Sequence, residues 1–237
     1  SHVYDDLNRL VETRVSVTQA VLGQYAYDVF GRRTRKISAA GTTIYFYDLS
    51  GQLLEERVVS ASPNPTRSFV WIENELAGVV DSGSQPTKFS WIHADHLGNP
   101  IAVTSSPAAG NAQTVWRASY QPFGQTTINQ DPDGDTQLFA LDLRFPGQVW
   151  DGETGMHYNW HRYYDPSIGR YISADPIGQA SGPNLYLYGL NNPTTFVDPT
   201  GEAGIIGAFI GAISGGVGAA ITSGGDPASI AVGAVVG

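Results

Sequence analysis

Cysteine is absent from all 237 residues, and methionine occurs once. Without thiols the chain holds no disulfide, no thiolate metal site and no cysteine nucleophile. Charge is scarce as well: Asp, Glu, Lys and Arg make up 15%, with 13 basic residues against 22 acidic ones and a formal net charge of −9. A nucleic-acid interface needs clustered Lys and Arg to neutralise phosphates, so nucleic acid is not an expected partner. The opening Ser1-His2-Val3-Tyr4-Asp5 has no basic stretch leading into an apolar run, so no signal peptide is read there. It starts in mid-pattern, as a fragment of a longer chain would.

Turn-formers and aromatic residues are plentiful. The 28 glycines and 14 prolines are spread along the chain with aromatics between them, which fits many short strands better than disorder. The first sixty residues repeat: Tyr4-Asp5, Tyr27-Asp28 and Tyr47-Asp48 recur at intervals of 23 and 20. Three residues after each aspartate stands Asn8, Gly31 or Gly51, a residue that accepts positive φ, while the aspartate caps local N–H groups. Thr42–Tyr47 and Leu53–Val59 supply strands. A period near twenty predicts stacked hairpins, each too small to bury its own face.

Phe69–Ile72 and Phe89–Ile92 read as further strands flanking a turn at Asp81–Ser84. His93, Asp95 and His96 lie in a turn and are read as satisfying its backbone rather than as metal ligands. Asp131-Pro132-Asp133-Gly134-Asp135 has alternate acids but lacks the later glycine and glutamate of a calcium loop, so it reads as a solvated loop. No metal or cofactor is expected. After Gly201 the composition changes. Ala203 to Ile221 is nineteen uncharged residues with Gly207, Gly211 and Gly215 four apart. As a helix it would be about 28 Å long with its glycines on one face, near the thickness of a bilayer core, so membrane contact through 203–237 is one reading. A flexible or cavity-packed stretch is the other, because glycine disfavours helix in water.

The densest motifs lie in residues 158–202. They are Tyr158-Asn159-Trp160-His161-Arg162-Tyr163-Tyr164-Asp165-Pro166, Gly169-Arg170-Tyr171-Ile172-Ser173-Ala174-Asp175-Pro176 and Asp198-Pro199-Thr200-Gly201. With the Tyr-Asp repeats, Asp95-His96-Leu97-Gly98 and Tyr120-Gln121-Pro122-Phe123-Gly124, they resemble the core of Rhs or YD-repeat proteins over about residues 1–202. The resemblance implies a mainly β fold: a spiralling antiparallel YD-repeat β-shell of stacked hairpins with an inward-turned C-terminal plug. The divisions expected are a repeat segment at 1–124, a core segment at 125–202, and a glycine-rich tail at 203–237 whose spacing suits a helix.

The same resemblance implies that the shell encloses a C-terminal toxin segment and that the chain cuts itself by aspartic-protease chemistry. Peptide hydrolysis by two carboxylates needs one ionised to take a proton from water and one protonated to donate to the carbonyl or leaving amine. By resemblance those acids are Asp175 and Asp198, with Arg170 beside them lowering one acid's pKa. Each acid precedes proline, which biases it to an extended backbone. Asp165 reads as a turn residue, Asn184, Asn191 and Asn192 as turn holders, and Tyr186 and Tyr188 as core strand positions. The inferred cut is Glu202–Ala203. Glu202 stands where the family pattern has leucine, and Gln179 replaces another common leucine. A carboxylate at the cut meets desolvation or adds a third negative charge to the pair. The family further implies synthesis in the bacterial cytoplasm and export into a target cell, often by type VI machinery. A spike or adaptor, an immunity protein or a chaperone would be its partners. A non-cleaving scaffold or adhesin is the competing reading.

Overall fold

A computed structural model of the chain describes residues 1–59, 64–82, 87–106 and 111–202, together with the backbone of 209–210. Twelve strands follow one another across one antiparallel sheet in chain order. They are β1 (His2–Tyr4), β2 (Leu10–Arg14), β3 (Val21–Tyr27), β4 (Arg33–Ser38), β5 (Gly41–Tyr47) and β6 (Leu53–Val58). β7 (Thr66–Ile72), β8 (Glu75–Ser82), β9 (Lys88–Ala94), β10 (Pro100–Ser105), β11 (Gln113–Tyr120) and β12 (Thr126–Asn129) continue it. Alternation puts one face inside. In β9, Ser90 and Ile92 are buried while Phe89, Trp91 and His93 are exposed, the period-2 pattern of a sheet covered on one side.

The repeat motif has a clear physical content. In each turn the aspartate Oδ1 accepts from the N–H groups two and four residues on: Leu7 and Arg9 on Asp5, Phe30 and Arg32 on Asp28, Ser50 and Gln52 on Asp48. Gly31 and Gly51 turn at φ 77° and 90°. The tyrosine before the aspartate reaches backward: the Tyr27 hydroxyl donates to the Leu10 carbonyl and Tyr47 to the Arg33 carbonyl at 2.9 Å. The arginine after the turn reaches forward, Arg9 to the Asp28 carbonyl and Arg32 to the Asp48 carbonyl. Each hairpin is thereby stitched to both neighbours, which supplies the burial that one hairpin lacks. Asp95 builds the same turn, accepting from Leu97 and Asn99, so the Asp95-His96-Leu97-Gly98 element is a fourth copy of the repeat turn.

After β12 the chain folds back as a plug. β13 (Val149–Asp151), β14 (Met156–Asn159), β15 (Arg162–Asp165) and β16 (Arg170–Tyr171) form a second antiparallel sheet. Val149, Met156, Tyr158 and Tyr163 from it join Leu10, Tyr25, Tyr45 and Val103 of the large sheet in one core. Arg33 is the polar tie between the two: it is 0% exposed, ion-paired to buried Asp151, and lies 4.3 Å over the Tyr158 ring. Lys36 meets the same Asp151 at 2.9 Å. The region 172–195 is turns and two short 3-10 segments, Gly178–Ser181 and Gly189–Asn191, leading to β17 (Phe196–Val197), which pairs with β18 (Phe209–Ile210).

Four expectations change. Asp81 and Ser82 belong to a strand, β8, which pairs with β7 through a tight turn at Glu73-Asn74, where Glu73 takes φ 57°; the polar run concealed a strand whose buried residues are Gly78 and Val79. The sheet extends past residue 124 through β12, because Gly124 is its last hairpin turn and not its end. Tyr186 and Tyr188 lie outside strands; Tyr188 is buried among Phe145, Tyr164 and Tyr171, whereas Tyr186 is exposed. Phe209–Ile210 are extended, paired with Phe196–Val197, rather than helical. The other tail residues, and with them the glycine spacing and the membrane reading, lie outside the described residues. Among the described residues no helix is long and apolar enough to cross a membrane.

His157 in β14 is buried, with Nδ1 2.6 Å from Gln148 Oε1, and burial followed by the Arg144 charge lowers its pKa from 6.5 to about 3. The unfolded chain therefore binds a proton below pH 6.5 that the folded chain refuses, so this group's contribution to stability is lost as pH falls through that range. Urea unfolding should show the wild type losing about 2 kcal/mol more between pH 7 and pH 5 than a His157→Asn variant, which keeps an Nδ1-like donor but does not titrate.

Candidate active site

The two aspartates of the plug each cap a turn of their own, with proline following each. Asp175 Oδ1 accepts from the Ile177 N–H at 3.0 Å, and the Gly178 N–H closes the turn onto the Asp175 carbonyl at 3.0 Å. Asp198 Oδ1 accepts from the N–H groups of Gly201 at 2.8 Å and Glu202 at 3.1 Å. The two turns meet on one guanidinium: Arg162 Nη2 lies 2.8 Å from Asp175 Oδ2 and 3.2 Å from Asp198 Oδ2. All three side chains are buried. Both carboxylates therefore lie within a few ångströms of one shared cation.

The arginine is Arg162 and not Arg170. Arg170 is exposed on β16, where its backbone pairs with Asp165 and bridges to Leu187. Alternation decides this: in Arg170-Tyr171 it is Tyr171 that faces inward, donating its hydroxyl to Asp198 Oδ2 at 2.7 Å. Arg162 carries a sequence signal that composition alone conceals. A cation inside the buried aromatic run Tyr158–Tyr164 has to be paired, and acids nearby in the fold are the natural partners. Its plane also covers the Tyr171 ring, 3.6 Å from guanidinium carbon to ring centroid.

The backbone before the inferred cut is held from every side. Arg162 Nε donates to the Gly201 carbonyl and the His161 N–H to the Thr200 carbonyl at 3.2 Å. Asn159 Nδ2 donates to the Asp198 carbonyl at 2.8 Å and to the Tyr171 hydroxyl at 2.7 Å. A Cβ on Gly201, at φ +73°, would run into the Asn159 carbonyl oxygen, so the approach of this turn to β14 requires glycine. Asn159 and His161, like Tyr171, take part in the site without having been singled out by sequence. Glu202 is partly exposed beside His161, and Ala203 lies outside the described residues.

Burial raises the Asp175 carboxyl above its usual value, opposed first by Arg162 and then by the Ile177 N–H. Asp198 accepts from two backbone N–H groups, a tyrosine hydroxyl and a guanidinium. Burial, then the Asp198 charge, lifts Tyr171 well above its ordinary pKa, so its hydroxyl stays a donor. The arrangement sets two buried carboxyl groups against one cation, and paired carboxyls can do general acid–base work.

The other candidates have local roles. His93 Nε2 pairs with Thr104 Oγ1 at 2.9 Å, His96 Nε2 lies 3.4 Å from the Thr194 carbonyl, and Asp95 caps its turn. Asp131, Asp133 and Asp135 bring carboxylate oxygens within 4.8 Å of one another, a clustering common in exposed acidic loops. Asp165 accepts from Ser167 N–H in its own turn, and Asn184 and Asn192 accept from Tyr186 N–H and the Thr194 hydroxyl.

Stitched hairpins around a plug that carries paired acids define a repeat-built β-shell segment. A family model described as the teneurin YD-shell matches residues 1–193, and the chain belongs to that family. It is 38% identical to the putative uncharacterized protein YibJ of Escherichia coli K12 over 65% of this chain and 62% of that one. It is 33% identical to double-stranded DNA deaminase toxin A of Burkholderia cenocepacia, over 85% of this chain and 15% of the toxin. Toxin protein Tse5 of Pseudomonas aeruginosa matches at 38% over 52% of this chain and 9% of Tse5. The chain thus spans less than two thirds of the length of these relatives, and of the last two only a small part. The crystal structure of TcdB2-TccC3 without its hypervariable C-terminal region superposes with a TM-score of 0.67 at 24% identity, over 85% of this chain and 10% of that one; this likeness concerns the fold. The chain is an Rhs/YD-shell protein.

Removing the shared cation separates the two arginines. Arg162→Met should cost about 3–5 kcal/mol in urea unfolding, because it leaves two buried acids facing each other. Arg170→Ala, at an exposed position, should stay within about 0.5 kcal/mol.

Proposed function

We propose that this segment encloses a following C-terminal toxin region and cuts its own chain once, at Glu202–Ala203, using Asp175 and Asp198. The observation that carries the reading is that one guanidinium gathers both carboxylates while Asp198 holds the N–H of Glu202. In the reaction Asp198 takes a proton from water, whose oxygen adds to the Glu202 carbonyl carbon. Asp175 supplies a proton toward the carbonyl oxygen, and collapse breaks the C–N bond with the proton leaving on the Ala203 nitrogen. Arg162 and Tyr171 compensate the charge on the pair and hold its orientation. Such an enzyme turns over once, because its substrate is its own backbone.

The sheet supports the enclosing half of the proposal. Its buried face is filled by the plug, and the plug's final strand leads directly into the tail through the β17–β18 pair. The relatives named as a DNA deaminase toxin and as Tse5 are several times longer than this segment, consistent with a shell serving a separate toxic activity. Export from a bacterial cytoplasm into a target cell, with secretion machinery and an immunity protein or chaperone as partners, belongs to the same proposal.

Time courses of the full chain, followed by gel and intact-mass spectrometry, test it. The wild type should yield a fragment ending at Glu202, and Asp175→Asn and Asp198→Asn should each slow its appearance by at least about a hundredfold. Because the Asp175 pKa is raised, the proton it supplies is lost as pH rises, so cleavage should be faster at pH 5 than at pH 8. Fragmentation at the same bond in Asp198→Asn removes the acid pair from the account, and a wild type that stays whole leaves a non-cleaving scaffold.

A further inference from the structure

Glu202 occupies the position before the inferred cut, where an acidic side chain is ill suited to a site already holding two carboxylates. The β14–β15 turn answers this. His161 Nε2 lies 3.6 Å from Glu202 Oε1, and both side chains are only partly exposed. The imidazole is held by its other nitrogen, Nδ1, 3.1 Å from the Thr200 carbonyl oxygen. A carbonyl only accepts, so Nδ1 carries the hydrogen and Nε2 is the nitrogen turned to the carboxylate. A carboxylate also only accepts, and Nε2 is the ring atom that faces it. Trp160 stacks on the ring, centroids 5.1 Å apart and planes within 10°, and its Nε1 donates to the Phe30 carbonyl at 3.0 Å. The ring is thus anchored on one side to a repeat turn and on the other to the backbone leading to the cut.

We propose that His161 is a specificity-determining residue: it holds glutamate at position 202 and adapts this chain to an acidic residue before the cut. The inference rests on the self-cleavage reading and adds to it the side chain accepted at the cut. Arg162 cannot take this role, since its guanidinium is committed to Asp175, Asp198 and the Gly201 and Leu185 carbonyls.

The test is a rate comparison on the full chain after cell-free synthesis. Cleavage is followed with Glu202 and with Glu202→Leu, each combined with His161 or His161→Asn. Asparagine keeps a donor placed like Nδ1 for the Thr200 carbonyl and lacks the nitrogen facing Glu202. The ratio of the rate with Glu202 to the rate of the Glu202→Leu chain should fall about three- to fivefold on His161→Asn, the scale of a partly exposed ion pair. A merely structural histidine would slow both chains alike, and an unchanged ratio overturns the proposal. If no chain cuts, the self-cleavage reading fails, and the pairing is judged by melting in an Asp175→Asn background. There, Tm shifts for His161→Asn and Glu202→Gln smaller in combination than their sum uphold the pairing, and strictly additive shifts reject it.

Discussion

One guanidinium, that of Arg162, governs the plug. Two acids from turns far apart in sequence are brought into a buried space where each alone would be unfavourable, and the arrangement holds because a single nitrogen of Arg162 meets both. Desolvating three charged groups is expensive, and the added hydrogen bonds from Tyr171 and from the Gly201 and Glu202 N–H groups offset that cost. An ensemble this costly is weak evidence for stability and better evidence that the geometry itself is needed. Asp198 has a dual attachment. One oxygen holds the backbone leading to Glu202 and the other meets the cation and Tyr171, so chain position and site chemistry are coupled through one side chain.

The repeat sheet provides the frame for this site by the same means. Aspartate caps each turn, tyrosine bonds back to an earlier carbonyl and arginine reaches forward to the next turn. Arg33 applies that logic across the two sheets. It faces away from its own turn into a cage of Tyr25, Tyr45 and Tyr158 and pairs with Asp151 of the plug. Trp160 makes a second bridge: a Cβ on Gly51 would overlap its ring, so the repeat turn and the β14–β15 turn approach as closely as glycine permits. The plug is therefore seated by contacts that the repeats themselves present.

Much of this was legible in the chain. The Tyr-Asp spacing and the glycine or asparagine three residues on are local signals, because a capped turn is built from atoms within five residues of one another. The strands expected over 42–47 and 53–59 followed from alternation, and β6 ends one residue earlier, at Val58. The polar run at Asp81-Ser82 was misleading because it is the end of β8, a strand that carries Leu76, Ala77, Val79 and Val80 but closes on two polar residues that read as a turn. Arg170 was an expectation carried by the resemblance alone. A motif does not say which face of a short strand points inward, and on β16 that face belongs to Tyr171.

Local chemistry in the sequence was thus sufficient to determine the repeat turns, the mainly β class and the lack of thiol chemistry, whereas Asp175 and Asp198 were picked out by the family resemblance, since Asp-Pro by itself reads as a turn. Tertiary structure alone decided which arginine joins them, that Tyr171 and Asn159 complete their surroundings, and that His161 faces Glu202. Those relations depend on the register of β14 to β16 against the 198–202 turn. Register is set by side-chain packing summed over the whole core, a quantity that no short stretch of residues carries by itself.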